Sequence, residues 1–136
     1  MFRVITCNTN GIRAAERKGF FRWLAKQRAD VVCIQEIKAK EVQLTDQAFY
    51  PKGYHCFYNE AERPGYAGTA VFAKHKPQRG ITRLDWDLFD SEGRYLQVDF
   101  PGLSVVSLYV PSGSASPIAQ GRKDGFMEPF LSLIHI

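Results

Sequence analysis

The chain has 136 residues, 45% apolar and 13% aromatic with 24% charged, which suits one folded domain with a sizeable core and argues against a disordered chain. A formal charge of +4 favours a polyanionic partner only mildly. No apolar run is long enough to cross a bilayer, and the opening Phe2-Arg3-Val4-Ile5-Thr6 reads as a strand, not a signal peptide, so a cytoplasmic protein is expected.

In chain order, Phe2 to Cys7 is a β-rich run ending in the polar turn Asn8-Thr9-Asn10-Gly11. From Ile12 to Arg28 the period changes. Phe20, Trp23, Leu24 and Gln27 recur three and four apart beside basic residues, which predicts an amphipathic helix. Val31-Val32-Cys33-Ile34 is a continuous apolar strand closed by Gln35-Glu36. Strand, helix and strand at this spacing make a βαβ unit, with two parallel strands expected to be buried on both faces. Tyr54 to Tyr58, Thr69 to Ala73, Arg94 to Phe100 and Val105 to Val110 are further short strands, separated by turns such as Pro64-Gly65, Glu92-Gly93 and Pro101-Gly102. Their hairpin-like connections predict an antiparallel continuation of the same sheet. A polar loop opens at Pro111, and Arg122 to Phe130 is expected to be helical. Cys7, Cys33 and Cys56 fit neither a disulfide framework nor a zinc spacing and read as free thiols.

Asn8 and Asn10 follow the first strand, and Glu36 follows the second. Parallel strands deliver both segments to one carboxyl edge, where sites in open sheets are built. Oxygen donors from Asn and Glu suit a hard cation such as Mg²⁺ or Mn²⁺; equally, Asn8 and Asn10 can make an Asx turn and Glu36 can be a solvated carboxylate. Tyr109, just before Pro111, is either a phenol that meets phosphate, acting as acid or nucleophile if its pKa is depressed, or an aromatic on the sheet surface. Arg13, Arg17, Lys18 and Arg28, with Lys38 and Lys40, can contact a nucleic-acid backbone or form a solvated face, and Arg22 and Lys26 read as the solvated face. His55 and His75 read as surface groups. No glycine-rich phosphate loop is present, because Gly65-Tyr66-Ala67-Gly68 lacks the following helix and lysine.

Together these segments resemble the exonuclease III and apurinic/apyrimidinic (AP) endonuclease family. The resemblance lies in Thr6-Cys7-Asn8-Thr9-Asn10-Gly11-Ile12-Arg13-Ala14, in Asp30-Val31-Val32-Cys33-Ile34-Gln35-Glu36-Ile37-Lys38, in Gly65-Tyr66-Ala67-Gly68-Thr69-Ala70, in Glu92-Gly93-Arg94 and in Tyr109-Val110-Pro111-Ser112-Gly113. It covers about residues 2–130, with Ile37 standing where threonine is usual.

The resemblance implies an α/β fold, a four-layer α/β sandwich with two sheets face to face. This chain is expected to supply one mixed sheet and its helices, leaving the sheet's inward face bare and prone to aggregation or self-association. It implies Glu36 as the principal metal ligand, Asn8 near metal and phosphate, Asn10 in the same polar site, and Tyr109 as the tyrosine that contacts the scissile phosphate. The implied chemistry is Mg²⁺-dependent (Mn²⁺ possible) hydrolysis of double-stranded DNA at abasic sites and 3′ ends, by a monomeric parent enzyme without a membrane partner. A related phosphodiesterase, or a catalytically dead DNA-binding module of the same fold, is the alternative. The family's downstream Gly-Asp-x-Asn and Asp-His motifs do not occur, and Asp99 and Asp124 lack their pattern, so the fragment alone is expected to be inactive. Leu131-Ser132-Leu133-Ile134-His135-Ile136 matches the translation of a common sequencing adapter. A non-native tail is expected there, and His135 is set aside.

Overall fold

The computed structural model describes residues 1–113 and 116–134; His135 therefore lies outside the described residues. The first strand, β1 (Val4–Asn8), leads into two short helices, α1 (Ile12–Arg17) and α2 (Phe20–Leu24). The single helix expected over 12–28 is broken at Gly19, whose φ of +91° is a left-handed step that ends α1 and starts α2. Strand β2 (Val31–Gln35) returns parallel to β1, with Val4 opposite Val31 and Asn8 opposite Gln35. The βαβ reading therefore holds.

After two short 3₁₀ turns come β3 (His55–Asn59) and β4 (Thr69–Ala73). They complete a four-stranded mixed sheet in the order β1-β2-β4-β3. Next are β5 (Arg79–Ile81), α3 (Asp87–Glu92), β6 (Tyr95–Phe100), β7 (Leu103–Leu108) and α4 (Pro117–Ile134). Strands β5, β6 and β7 pair among themselves in a second, antiparallel sheet. The expectation of one mixed sheet with a bare inward face is thus corrected. The physical reason is visible in β6: Leu96 and Val98 are buried while Tyr95, Gln97 and Asp99 alternate with them. A strand with one apolar face packs face to face more readily than it extends a doubly buried sheet.

Two apolar layers result. On one side of β2, Val32 and Ile34 pack with Ile12, Leu24, Leu44 and Phe72, with Phe20 and Phe21 against them. On the other side, Val31, Cys33 and Val71 meet Leu96 and Val98 of the second sheet. Strand β2 is therefore buried on both faces, as its unbroken apolar run predicts. Strand β1 is not: it lies at the sheet edge, and Val4 remains 49% exposed. Helix α4, longer than the expected 122–130, docks through Phe126, whose ring lies 3.9 Å from Phe89 and 5.7 Å from Trp86. Cys33 is buried, Cys7 and Cys56 are half-buried, and all three are free thiols. No helix among the described residues is long and apolar enough to cross a membrane.

Candidate functional site

The ends of β1 and β2 are joined by backbone hydrogen bonds that continue past the strands. Thr9 N–H donates to Gln35 O at 3.0 Å, Gly11 N–H to Glu36 O at 2.7 Å and Ile12 N–H to Ile37 O at 2.9 Å. The chain turns sharply there, with φ of +54° at Glu36 and +48° at Lys38. Such left-handed steps are unfavourable for residues with a Cβ and persist only where the surroundings fix them. Ile37, fully buried between them, supplies the anchor. Its own N–H and that of Lys38 donate to Gly68 O and Ala67 O, at 3.2 and 2.9 Å. Gly68 must lack a side chain, because a Cβ on it would lie 2.5 Å from Ile37 Cγ1. The Gly65-Tyr66-Ala67-Gly68 segment thus braces the turn that carries Glu36.

Asn8 and Glu36 meet as their positions at one carboxyl edge require. Asn8 Nδ2 donates to Glu36 Oε1 at 2.8 Å, and Asn10 N–H donates back to Asn8 Oδ1 at 3.0 Å. The Asx turn and the Glu36 contact are therefore both present, made by one side chain. Lys38 completes the cluster, its Nζ 2.5 Å from Asn10 Oδ1 and 3.3 Å from Glu36 Oε2. Burial alone would raise the Glu36 pKa, but hydrogen bonds from Asn8, Tyr109 and Lys38, with the Lys38 charge, outweigh it and hold the carboxyl below its ordinary value.

Tyr109 arrives from the second sheet. Ser107, fully buried on β7, donates to Ile34 O at 2.9 Å and accepts from Gln35 Nε2 at 3.1 Å, fixing β7 beside the end of β2. Two residues on, the Tyr109 hydroxyl bonds Glu36. Burial, that hydrogen bond and the Glu36 charge push the phenol up to about 12, against the opposing charge of Arg94. Tyr109 is therefore a protonated donor near neutral pH. The alternative of a nucleophile with a depressed pKa is corrected, because a neighbouring carboxylate disfavours the phenolate.

Arg94 was not singled out by sequence reasoning, although the Glu92-Gly93-Arg94 segment contained the signal. It is 3% exposed, with its guanidinium 4.8 Å from the Tyr109 ring centroid and 5.7 Å from that of Tyr66. It donates to the Glu92 carboxylate, to Tyr66 Oη at 3.0 Å and to Tyr109 O at 3.2 Å. A buried cation needs such a set of partners. Gly93 allows the approach, since a Cβ there would stand 2.4 Å from Asn59 O.

The basic residues separate into two groups. Arg17, Lys18, Arg22, Lys26 and Arg28 are exposed, and Lys18 lines a groove with Asn8, Asn10 and Phe20. Lys40 instead turns inward, pairing with Glu60 at 3.1 Å and donating to Ala61 O and Glu62 O. As a free contact for a nucleic-acid backbone it is corrected.

The profile of the Endonuclease/Exonuclease/phosphatase family matches residues 5–132, nearly the whole chain. The chain belongs to this family. Within the endonuclease/exonuclease/phosphatase family, it is 37% identical over 111 residues to the "Exodeoxyribonuclease" of Bacillus subtilis (strain 168), covering 81% of this chain and 43% of that protein. It is 30% identical over 110 residues to the "DNA-(apurinic or apyrimidinic site) endonuclease" of Dictyostelium discoideum, covering 81% of this chain and 30% of that protein. The solved AP endonuclease from Archaeoglobus fulgidus superposes with a TM-score of 0.73 at 27% identity, over 90% of this chain and 47% of that one. The chain thus spans less than half the length of each of these endonuclease/exonuclease/phosphatase relatives. Their likeness supports the expected two-sheet α/β sandwich class, and this chain contributes strands to both sheets.

Among the described residues no group of three or more His, Cys, Asp or Glu side chains is arranged to hold a metal. The donor set at Glu36 is one carboxylate, steadied by the Asn8 amide nitrogen and linked through the Lys38 ammonium to the Asn10 amide oxygen. That set fits Mg²⁺, which is commonly held through one or two carboxylates with waters and substrate phosphate completing its shell.

Proposed function

We propose that this chain carries part of the site of a DNA-repair phosphodiesterase, an exodeoxyribonuclease and AP endonuclease acting on double-stranded DNA at abasic sites and 3′ ends. The observation that carries the reading is the convergence on Glu36 of Asn8 from the first sheet and Tyr109 from the second. A carboxylate that only decorated a strand end would not draw donors from both sheets.

In this reading Glu36 holds Mg²⁺ or Mn²⁺, with Asn8 close to both metal and phosphate. A bound divalent cation supplies charge stabilisation to the phosphoryl and leaving oxygens. Asn8 fixes the carboxylate orientation and Asn10 closes the turn that aims Asn8. Tyr109, protonated, donates to a phosphate oxygen or keeps Glu36 in place. Lys18, beside Asn8 and Asn10, and the exposed Arg17 hold the DNA backbone without reading its sequence. Water activation is assigned to none of the described residues, so the 136-residue chain is expected to give no multiple turnover by itself.

The test is to assay a full-length protein carrying this chain on a labelled duplex containing one abasic site and a recessed 3′ end. Incision and 3′ digestion that vanish with EDTA and return with Mg²⁺ support the reading. Duplex binding without metal-dependent cleavage would replace it with a DNA-binding module of the same fold.

A further inference from the structure

Lys38 stands two residues after Glu36, yet its ammonium lies back over the Glu36 carboxylate. The backbone permits this. A φ of +48° and the bond from Lys38 N–H to Ala67 O set where the side chain leaves the turn. From there Nζ reaches Asn10 Oδ1 at 2.5 Å and Glu36 Oε2 at 3.3 Å. Other nearby cations are committed elsewhere: Arg13 donates to Lys38 O at 3.4 Å, and Lys40 is held by Glu60, Ala61 and Glu62. The positive charge on this carboxylate therefore comes from Lys38.

A divalent cation taking the same carboxylate would meet the ammonium a few ångströms away, and like charges at that range repel strongly. The Lys38 side chain is 37% exposed on a flexible stem, so it can leave. Its nearest new partner would be an anionic oxygen arriving with the cation.

We propose that Lys38 is an ammonium latch. It holds Glu36 and Asn10 together before a cation binds, is displaced from Glu36 when one does, and passes to a phosphodiester oxygen, so that cation and anion enter together. This rests on the reading of Glu36 as the metal carboxylate, but it assigns Lys38 a role that reading does not require.

The test measures Mn²⁺ affinity by electron paramagnetic resonance of the 136-residue chain. Lys38→Gln, Lys38→Arg, Glu36→Gln and the double variant Lys38→Gln/Glu36→Gln are compared with the unaltered chain, with and without dimethyl phosphate as phosphodiester probe. Near-UV dichroism confirms that each keeps its packing. Without the probe, Lys38→Gln should bind Mn²⁺ about tenfold more tightly than the unaltered chain, because a competing charge is gone. Lys38→Arg, which keeps the charge, should stay near the unaltered value. Dimethyl phosphate should narrow the gap between the unaltered chain and Lys38→Gln. Equal or weaker binding by Lys38→Gln overturns the latch, and a gap that the probe leaves unchanged overturns the coupling to the anion. Glu36→Gln should weaken binding whether residue 38 is lysine or glutamine. Mn²⁺ binding indifferent to Glu36→Gln would instead overturn the site reading beneath the latch.

Discussion

Gly68→Ala perturbs the site from a residue that touches no substrate. Gly68 has φ +82°, and a Cβ there would lie 2.5 Å from Ile37 Cγ1, 3.0 Å from Ile37 Cδ1 and 3.3 Å from Asn59 O. Ile37 cannot yield cheaply, since it is 1% exposed and packed in the core. The left-handed backbone costs about 1–2 kcal/mol for a residue with a Cβ, and forced overpacking adds about 1–3 kcal/mol. The total of about 2–5 kcal/mol is a large part of a typical stability of about 5–15 kcal/mol. Gly102→Ala is the control, because Gly102 has φ +72° but nothing within 4 Å of the added carbon. It should lose only the backbone part. Urea unfolding followed by near-UV dichroism measures both, and Gly68→Ala should lower the midpoint further, on the order of 1–2 M at ordinary m-values. Ile37→Ala should also cost less in the Gly68→Ala background than alone, because it removes the clashing atoms. If the two glycine variants unfold within about 0.5 kcal/mol of each other, roughly the resolution of such comparisons, the brace on the Glu36 turn is refuted.

Tyr109→Phe keeps the ring under Arg94 and removes only the hydroxyl that reaches Glu36. Stability should change by about 1 kcal/mol or less, while single-turnover cleavage by a full-length protein falls about 10²-fold; an unchanged rate makes Tyr109 structural. Asp99 gives a pH prediction. Hydrogen bonds from Ser104, Gln97 and Arg79 hold its carboxyl down at about 2. A folded-state pKa below the ordinary value of 3.8 contributes stability that is present above that value and lost as pH falls towards about 2. The urea-midpoint gap between the unaltered chain and Asp99→Asn should therefore close between pH 4 and pH 2, and a gap constant across that window contradicts the assignment.

How much of this was legible in the sequence follows from which physics each feature obeys. The apolar run Val31–Ile34 announced a strand buried on both faces, and the turn at Asn8 with the carboxylate at Glu36 announced a shared edge, because parallel pairing makes that juxtaposition unavoidable. The second sheet was misplaced because short turns fix antiparallel order but not whether a strand joins an existing sheet or starts another. The broken helix was missed because one glycine in a helical period is tolerated as often as it interrupts. The particular contacts of Lys38 and Arg94 were not legible, for a different reason, although both residues stand in segments that the sequence singles out. Their roles depend on left-handed backbone steps and on two sheets meeting at one edge, and neither is a local pattern. The adapter-like tail is not addressed by the fold: α4 runs to Ile134 and Leu131 is half-exposed upon it.

Glu36 is the proposed point where metal and phosphate meet. The direct measurement is single-turnover incision of an abasic-site duplex across a Mg²⁺ titration, by a full-length protein carrying this chain, unaltered and as Glu36→Ala. Glu36 is a half-buried group at a turn and not part of the apolar core, so the variant should unfold near the same urea concentration. Its maximal rate should fall at least about 10²-fold, as for loss of one preorganised electrostatic contact. Its half-saturating Mg²⁺ should rise about tenfold or more, as for loss of a metal contact. An Ala variant with the unaltered protein's Mg²⁺ dependence and rate would contradict the account.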